Sequence, residues 1–149
     1  MTKASGVKAV IVKGGKVLVL VENDGRLDLP GGRVEENEDL LAALDREISE
    51  ETGLSIQIRG IVLCWSFEKS SKLWINGSTY LCSYVGGKIR LSCEHRSYFW
   101  ADKNMVERLC SADFGRLRTY LKGAEPDPSS AYLTPTRPIY GSHHCGLAG

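Results

Sequence analysis

Arg46, Glu47, Glu50 and Glu51 crowd together just ahead of Gly53. At helical spacing Glu47, Glu50 and Glu51 stand at i, i+3 and i+4 on one face, so their charges repel one another. They also fall near the expected C-terminus of the helix, where the macrodipole favours cations and each anion costs about 0.3–1 kcal/mol. Something positive must stand opposite. Carboxylates joined by a backbone carbonyl from a tight glycine loop form a hard, oxygen-only donor set, suited to Mg²⁺ or Mn²⁺ rather than zinc. Mg²⁺ bound in this way is usually completed by substrate phosphates, so a phosphate-bearing small molecule is the first expectation. In such a site a bound water can be activated for attack on phosphorus, a neighbouring carboxylate can take its proton, and the metal neutralises the leaving phosphate.

These residues need a helix and a loop to position them. The helix is expected to start near Asn37 as N-cap, with Glu38 and Asp39 in its first turn, and to end at Gly53 as the C′ residue. Leu40, Leu41, Leu44 and Ile48 form its apolar stripe. The ridge through Leu40 and Leu44 continues to Glu47 and Glu51, so the inward edge turns acidic at its end. A solvated face is the ordinary reading of a helix rich in Glu and Arg, but here the acids continue the buried side. Before the helix, residues 7–22 hold two β-branched runs joined at Gly14-Gly15, a hairpin signal. Asn23-Asp24-Gly25 supplies a second turn, Arg26 to Leu29 alternates like a short strand, and Pro30-Gly31-Gly32 is expected to stop it. After the helix, Ile56 to Phe67, Leu73 to Val85 and Lys88 to Leu91 read as strands, with turns at Asn76-Gly77 and Gly86-Gly87. Tyr98-Phe99-Trp100 makes a short last strand, and Asp102 to Leu109 and Asp113 to Leu121 suggest a helix broken around Ser111.

The chain of 149 residues, 42% apolar and 25% charged, is long enough to bury one core without staples. A net charge of +1 predicts no bulk attraction to nucleic acid or membrane. Its charge is uneven: acids outnumber bases from Glu22 to Leu54, whereas Lys88 to Lys122 is biased the other way. An acidic metal site beside a basic, anion-binding wall would look like this, and so would two unrelated solvated faces. Cys64, Cys82, Cys93, Cys110 and Cys145 include no CxxC pair, so reduced and mostly buried thiols are expected rather than disulfides or structural zinc. The N-terminus has no signal-peptide pattern and no apolar run approaches a membrane span, which leads to the expectation of a cytoplasmic protein.

Gly32, five residues, Glu38, seven residues, Arg46-Glu47-Ile48, any residue, Glu50-Glu51, any residue and Gly53-Leu54 resembles the Nudix box at every defined position. Leu29-Pro30-Gly31 fits the usual lead-in, and Glu94 to Trp100 is similar to the family's later segment, in which an acidic loop containing His runs into a strand. The likeness spans about residues 6–121. It implies an α/β fold, an α/β/α sandwich around a mixed β-sheet. The activity it implies is hydrolysis of a diphosphate bond in a nucleoside diphosphate linked to another moiety. Carried over by position, Glu47, Glu50 and Glu51 would bind Mg²⁺, or Mn²⁺, with help from the Gly32 carbonyl. Glu47 would serve as general base or orient the water, Arg46 would hold the glutamates, and Glu38 would support the metal waters. Glu94 would be a further ligand or base. Ser97 stands where many relatives have a second glutamate, which leaves the base open, and Leu27 stands where a tryptophan is common.

The substrate is less constrained. Neither the proline of ADP-ribose hydrolases nor the tyrosine of diadenosine-polyphosphate hydrolases occurs at Glu68 to Lys72. Trp65, Phe67 and Trp74 suit either a core or a base stack. A nucleoside triphosphate, including an oxidised purine form, giving monophosphate and diphosphate is the leading expectation. ADP-ribose, a nucleotide sugar or a non-nucleotide diphosphate is the second. A non-catalytic nucleotide-binding regulator is the reading of another class, and three retained, mutually repelling carboxylates argue against it. Residues 1–123 read as the catalytic domain. Residues 124–149 read as a Pro-rich extension with apolar anchors at Tyr132, Leu133, Ile139 and Tyr140, packing on the domain or on a second subunit of a homodimer. His143-His144-Cys145 could bind a soft metal, though three such donors at a chain end are more often incidental.

Overall fold

In the computed structural model, residues 1–111 and 116–121 are described. The alternating runs at the start of the chain form β1 (Thr2–Lys13) and β2 (Lys16–Glu22). Gly14 and Gly15 turn the chain with φ of 58° and 76°, the left-handed pair that a two-residue hairpin demands. The hairpin is registered at its closed end, Val12 opposite Val17 and Lys13 opposite Lys16, and then forks. The segment that follows fills the fork. On one side β3 (Leu27–Asp28) pairs with β2 at Leu20 and Val21. On the other side β4 (Gly31–Arg33) pairs with β1 at Gly6, Val7 and Lys8, and the Ala9 N–H donates to the Pro30 carbonyl at 2.9 Å. Pro30 ends the short strand β3 as expected, but Gly31-Gly32 then opens a second short strand, β4, which the sequence did not announce. The open edge of β1 offers partners to exactly those backbone groups that would otherwise need solvent.

β5 (Ser55–Ser70) and β6 (Leu73–Gly86) form a long hairpin, and β6 runs parallel to β1 from Thr2–Leu73 to Val12–Ser83. β7 (His95–Ala101) lies antiparallel on β2, so the sheet is mixed. Asn76-Gly77 is not a turn but lies within β6. Gly77 sits opposite both Gly6 and Trp65, and the Trp65 indole occupies the space where its side chain would be. Lys88 to Leu91 is not a strand either. Its stretch caps the helix α1 (Leu40–Thr52), with the Arg90 N–H on the Thr52 carbonyl at 2.8 Å and the Ser92 N–H on the Glu51 carbonyl at 3.4 Å.

The N-cap of α1 is Asp39, whose carboxylate accepts from the Ala42 N–H at 2.8 Å, and not Asn37. Asn37 takes a left-handed φ of 64° in the preceding turn, a conformation that asparagine tolerates. Gly53 ends the helix as expected, with φ 73° and its N–H on the Ser49 carbonyl. Ala43, Leu44 and Ile48 of α1 pack on one sheet face against Val7, Ala9, Ile11, Leu18 and Leu20. The opposite face, from Val10, Val12, Val17, Val19 and Leu63, is covered by α2 (Lys103–Cys110) and α3 (Leu117–Leu121). The α/β/α sandwich follows from this parity. Each fully buried leucine or isoleucine contributes about 1.5–3 kcal/mol. Cys82 and Cys110 are buried while Cys64 and Cys93 are exposed, so the thiols are not mostly buried among the described residues. Asp113 and the 124–149 extension, with its proposed anchors and its His-His-Cys end, lie outside the described residues. None of the described helices is long and apolar enough to cross a membrane.

The fork makes different demands on two glycines. Gly14 has open space around it and needs only its left-handed φ, so Gly14→Ala should cost about 1 kcal/mol. Gly31 has φ 138° and a side chain there would collide with the Val7 carbonyl and the Lys8 backbone, so Gly31→Ala should cost on the order of 3 kcal/mol or more. Urea midpoints compare them; equal midpoints would contradict the packing of the fork.

Candidate active site

The last turns of α1 press against β4, and Arg46 is the joint. Its guanidinium forks onto Glu38, Nε to Oε2 at 2.7 Å and Nη2 to Oε1 at 2.9 Å. Its Nη1 reaches Glu47 at 3.0 Å and Glu50 at 3.4 Å, and Nη2 also donates to the Arg33 carbonyl at 3.1 Å. Glu35 stands 3.5 Å away. The hydrogen bonds from Arg46 hold the Glu38 carboxyl down at about 2, so this pair is charged at any ordinary pH. Glu38 lies outside the helix and accepts the Glu35 N–H at 2.9 Å, which folds the loop back onto α1.

Glu47 and Glu51 face the sheet edge. The Glu47 carboxylate lies against the bare α-carbon of Gly32, where an added Cβ would stand 2.6 Å from the carboxyl carbon. Burial raises the Glu47 pKa, Arg46 opposes the rise, and the charges of Glu50 and Glu94 add to it. Glu51 is buried, and its Oε1 accepts the Gly31 N–H at 2.8 Å. Burial pushes its pKa up to about 8, against the pull of Lys8 and the Gly31 N–H and with help from Glu47 and Asp28. Glu50 is exposed. Glu94 sits exposed in the turn before β7, within electrostatic reach of Glu47, and that turn is tied to the β2–β3 turn by the Asn23 amide on the Cys93 carbonyl at 2.8 Å. The structure thus brings Gly32, Glu38, Arg46, Glu47 and Glu50 into one network, with Glu51 beside it on the β4 backbone and Glu94 at its rim.

Among the described residues, no three acidic, imidazole or thiol side chains converge closely enough to hold an ion as they stand. The donor chemistry nevertheless fits a hard divalent cation. Every donor is oxygen, and Glu47 and Glu51 carry raised pKa values that a cation between them would relieve.

Beyond Gly32, on the sheet face opposite α1, opens a cavity of about 810 Å³ lined by Lys8, Asp28, Arg33, Trp65, Phe67 and Tyr120 among others. Trp65 and Phe67 stack at 5.8 Å between centroids, and the Arg116 guanidinium lies 3.6 Å over Phe67. The Trp65 indole N–H donates to Thr79 at 3.0 Å, whose hydroxyl donates to the Tyr120 carbonyl at 2.7 Å, so this wall is fixed. Trp74 is not part of it; its indole N–H bonds Asn76 at 3.1 Å. The sequence gives no role to Lys8, Asp28 or Tyr120, and Arg116 enters there only as one of the basic residues between Lys88 and Lys122. One signal was there: a lysine in the middle of an apolar run, Val7 to Val12, whose two faces are both covered.

A NUDIX domain model matches residues 2–113, and the chain belongs to the Nudix family. It is 35% identical over 103 residues to a Mycobacterium tuberculosis protein that bears the name of a candidate 8-oxo-dGTP diphosphatase, covering 63% of this chain and 70% of that one. It is 24% identical over 124 residues to an ADP-ribose pyrophosphatase of Methanocaldococcus jannaschii, covering 80% and 73%. The fold is shared with a Nudix hydrolase from Nitrosomonas europaea at a TM-score of 0.72 and 20% identity, over 93% of this chain and 98% of that one. The protein is accordingly a Nudix pyrophosphohydrolase acting on acid anhydrides of small phosphate-containing substrates, in a family that generally uses divalent cations.

The buried acid predicts a pH signature. The Glu51 pKa is raised on folding, so between about 4.5 and 8 the folded state binds more protons than the unfolded one and stability falls as pH rises. In metal-free protein, the wild type should therefore lose stability from pH 5.5 to 8.5 more steeply than Glu51→Gln, read from urea midpoints at each pH. Parallel profiles would show that Glu51 is not the buried acid described.

Proposed function

We propose that the protein hydrolyses a nucleoside triphosphate, including oxidised purine forms, to the monophosphate and diphosphate in a Mg²⁺-dependent reaction. The observation that carries this reading is the position of Gly32, with the Glu47 carboxylate packed against its α-carbon and the aromatic cavity opening beside it. A diphosphate at Gly32 would set its nucleoside against Trp65 and Phe67, with Asp28 as acceptor at the cavity floor and Arg33 at the phosphate end. The 35% identical relative, by its name, supports the same class.

Glu47, Glu50, Glu51 and the Gly32 carbonyl would hold the cation, which would neutralise charge on the diphosphate when bound. Glu47 takes the proton of the attacking water, for which its raised pKa suits it, while the oxygen attacks phosphorus and the diphosphate leaves. Arg46 fixes Glu47 and Glu50 in rotamer, Glu38 fixes Arg46, and Glu94 adds negative charge at the rim as a further ligand or base. ADP-ribose or a nucleotide sugar is the second reading, favoured by the openness of a cavity larger than one base requires and by the archaeal relative's name.

Phosphate and diphosphate release with Mg²⁺ across a nucleotide panel decides between them: diphosphate from a triphosphate supports the first reading, and AMP with ribose 5-phosphate from ADP-ribose the second. Binding without turnover on every substrate would overturn both. Glu50→Gln should lower kcat by about 100-fold or more with the folded state intact, and unchanged kcat would remove Glu50 from the ligand set.

A further inference from the structure

Lys8 projects from the centre of β1 into the fork and is 93% buried, at 7% exposure. Its ammonium donates to both oxygens of Asp28, at 2.9 and 3.1 Å, to the Leu29 carbonyl at 3.1 Å and to the Gly31 carbonyl at 3.4 Å. On the cavity side the Tyr120 ring lies 5.0 Å from the nitrogen. Burial opposes its charge, but Asp28, Tyr120 and Glu51 together more than restore it, so it stays an ammonium. An ammonium is compact enough to sit inside the fork and hold a bent backbone at more than one carbonyl, which an apolar residue cannot do. The Gly31 carbonyl it grips belongs to the peptide that leads into Gly32, and the N–H of the same residue, in the peptide before it, holds Glu51.

We propose that Lys8 is a positioning residue for the cation site, clamping the Asp28–Gly31 backbone from within the fork so that Gly31 presents Glu51 and Gly32 presents its carbonyl to the ion. The proposal rests on the assignment of Glu51 and Gly32 as cation donors in the preceding subsection. Lys8 itself touches no ion. It works through the backbone, as partners behind metal ligands do when their removal costs about 10–100-fold in affinity.

Its charge makes the test one of sign. A buried ammonium beside Glu51 repels an incoming cation, so loss of the charge alone would tighten binding, whereas loss of the clamp weakens it. Mn²⁺ affinity is measured by electron paramagnetic resonance of the free ion, on wild type, Lys8→Met, Asp28→Asn and the double variant, with circular dichroism to check the fold. The double variant leaves no unpaired carboxylate in the fork and carries the test should Lys8→Met alone fail to fold. The expected result is a loss of about 10–100-fold for both variants that lack Lys8, and a smaller loss for Asp28→Asn, where Lys8 still grips both carbonyls. Unchanged or tighter Mn²⁺ binding in a folded variant lacking Lys8 would overturn the clamp while leaving the function standing. Failure of the wild type to bind Mn²⁺ would overturn the function and the clamp together.

Discussion

The mutual repulsion of Glu47, Glu50 and Glu51 at the end of a packed helix is the constraint to which the rest of the structure answers. Two of these carboxylates are pressed toward the sheet, one by its contact with Gly32 and one by burial, and neither can swing into solvent without leaving the core edge. Arg46 answers for Glu47 and Glu50, and the Gly31 N–H for Glu51. Neither offsets the cost of burying these acids, so the pKa values of Glu47 and Glu51 are raised, by burial first and by neighbouring carboxylates second. A divalent cation is the partner we propose for what is left over.

The fork between β1 and β2 is the mechanical answer to the same constraint. A glycine loop free at one edge could not hold its Gly31 N–H on Glu51 and its Gly32 α-carbon against Glu47 reproducibly. Here the stretch from Leu27 to Arg33 is paired on both sides and gripped by Lys8 in the middle. The same stretch lies between the acidic edge and the aromatic cavity. Gly32 and Arg33 both line that cavity, and both also reach the acidic edge, Gly32 through its contact with Glu47 and Arg33 through its carbonyl on Arg46.

Much of the site was legible because its chemistry is local. Arg46, Glu47, Glu50 and Glu51 sit on one helix, and their spacing alone brings them together, although Glu50 stays exposed while Glu47 and Glu51 turn toward the sheet. The helix start was misread because Asn37 and Asp39 are both good caps; the choice is made by Glu38, which must turn back to Arg46 and so cannot lie in the first helical turn. Lys88 to Leu91 alternates like a strand, but its backbone is spent on the carbonyls of Thr52 and its neighbour, a demand invisible from its own residues. Lys8 was passed over for the same reason. Its partners lie some twenty residues on, at Asp28, Leu29 and Gly31, and only the forked pairing brings them together.

Proton release on cation binding tests most directly whether this edge is a cation site. Mg²⁺ titrated calorimetrically at pH 7, in buffers of different ionisation enthalpy, reports the protons exchanged. Because the Glu51 pKa is pushed up to about 8, binding should expel its proton and the apparent heat should vary with the buffer, and Glu51→Gln should abolish that dependence. Saturable binding with a heat independent of buffer in the wild type would contradict the account, since the ion would then be held somewhere other than against the buried acid.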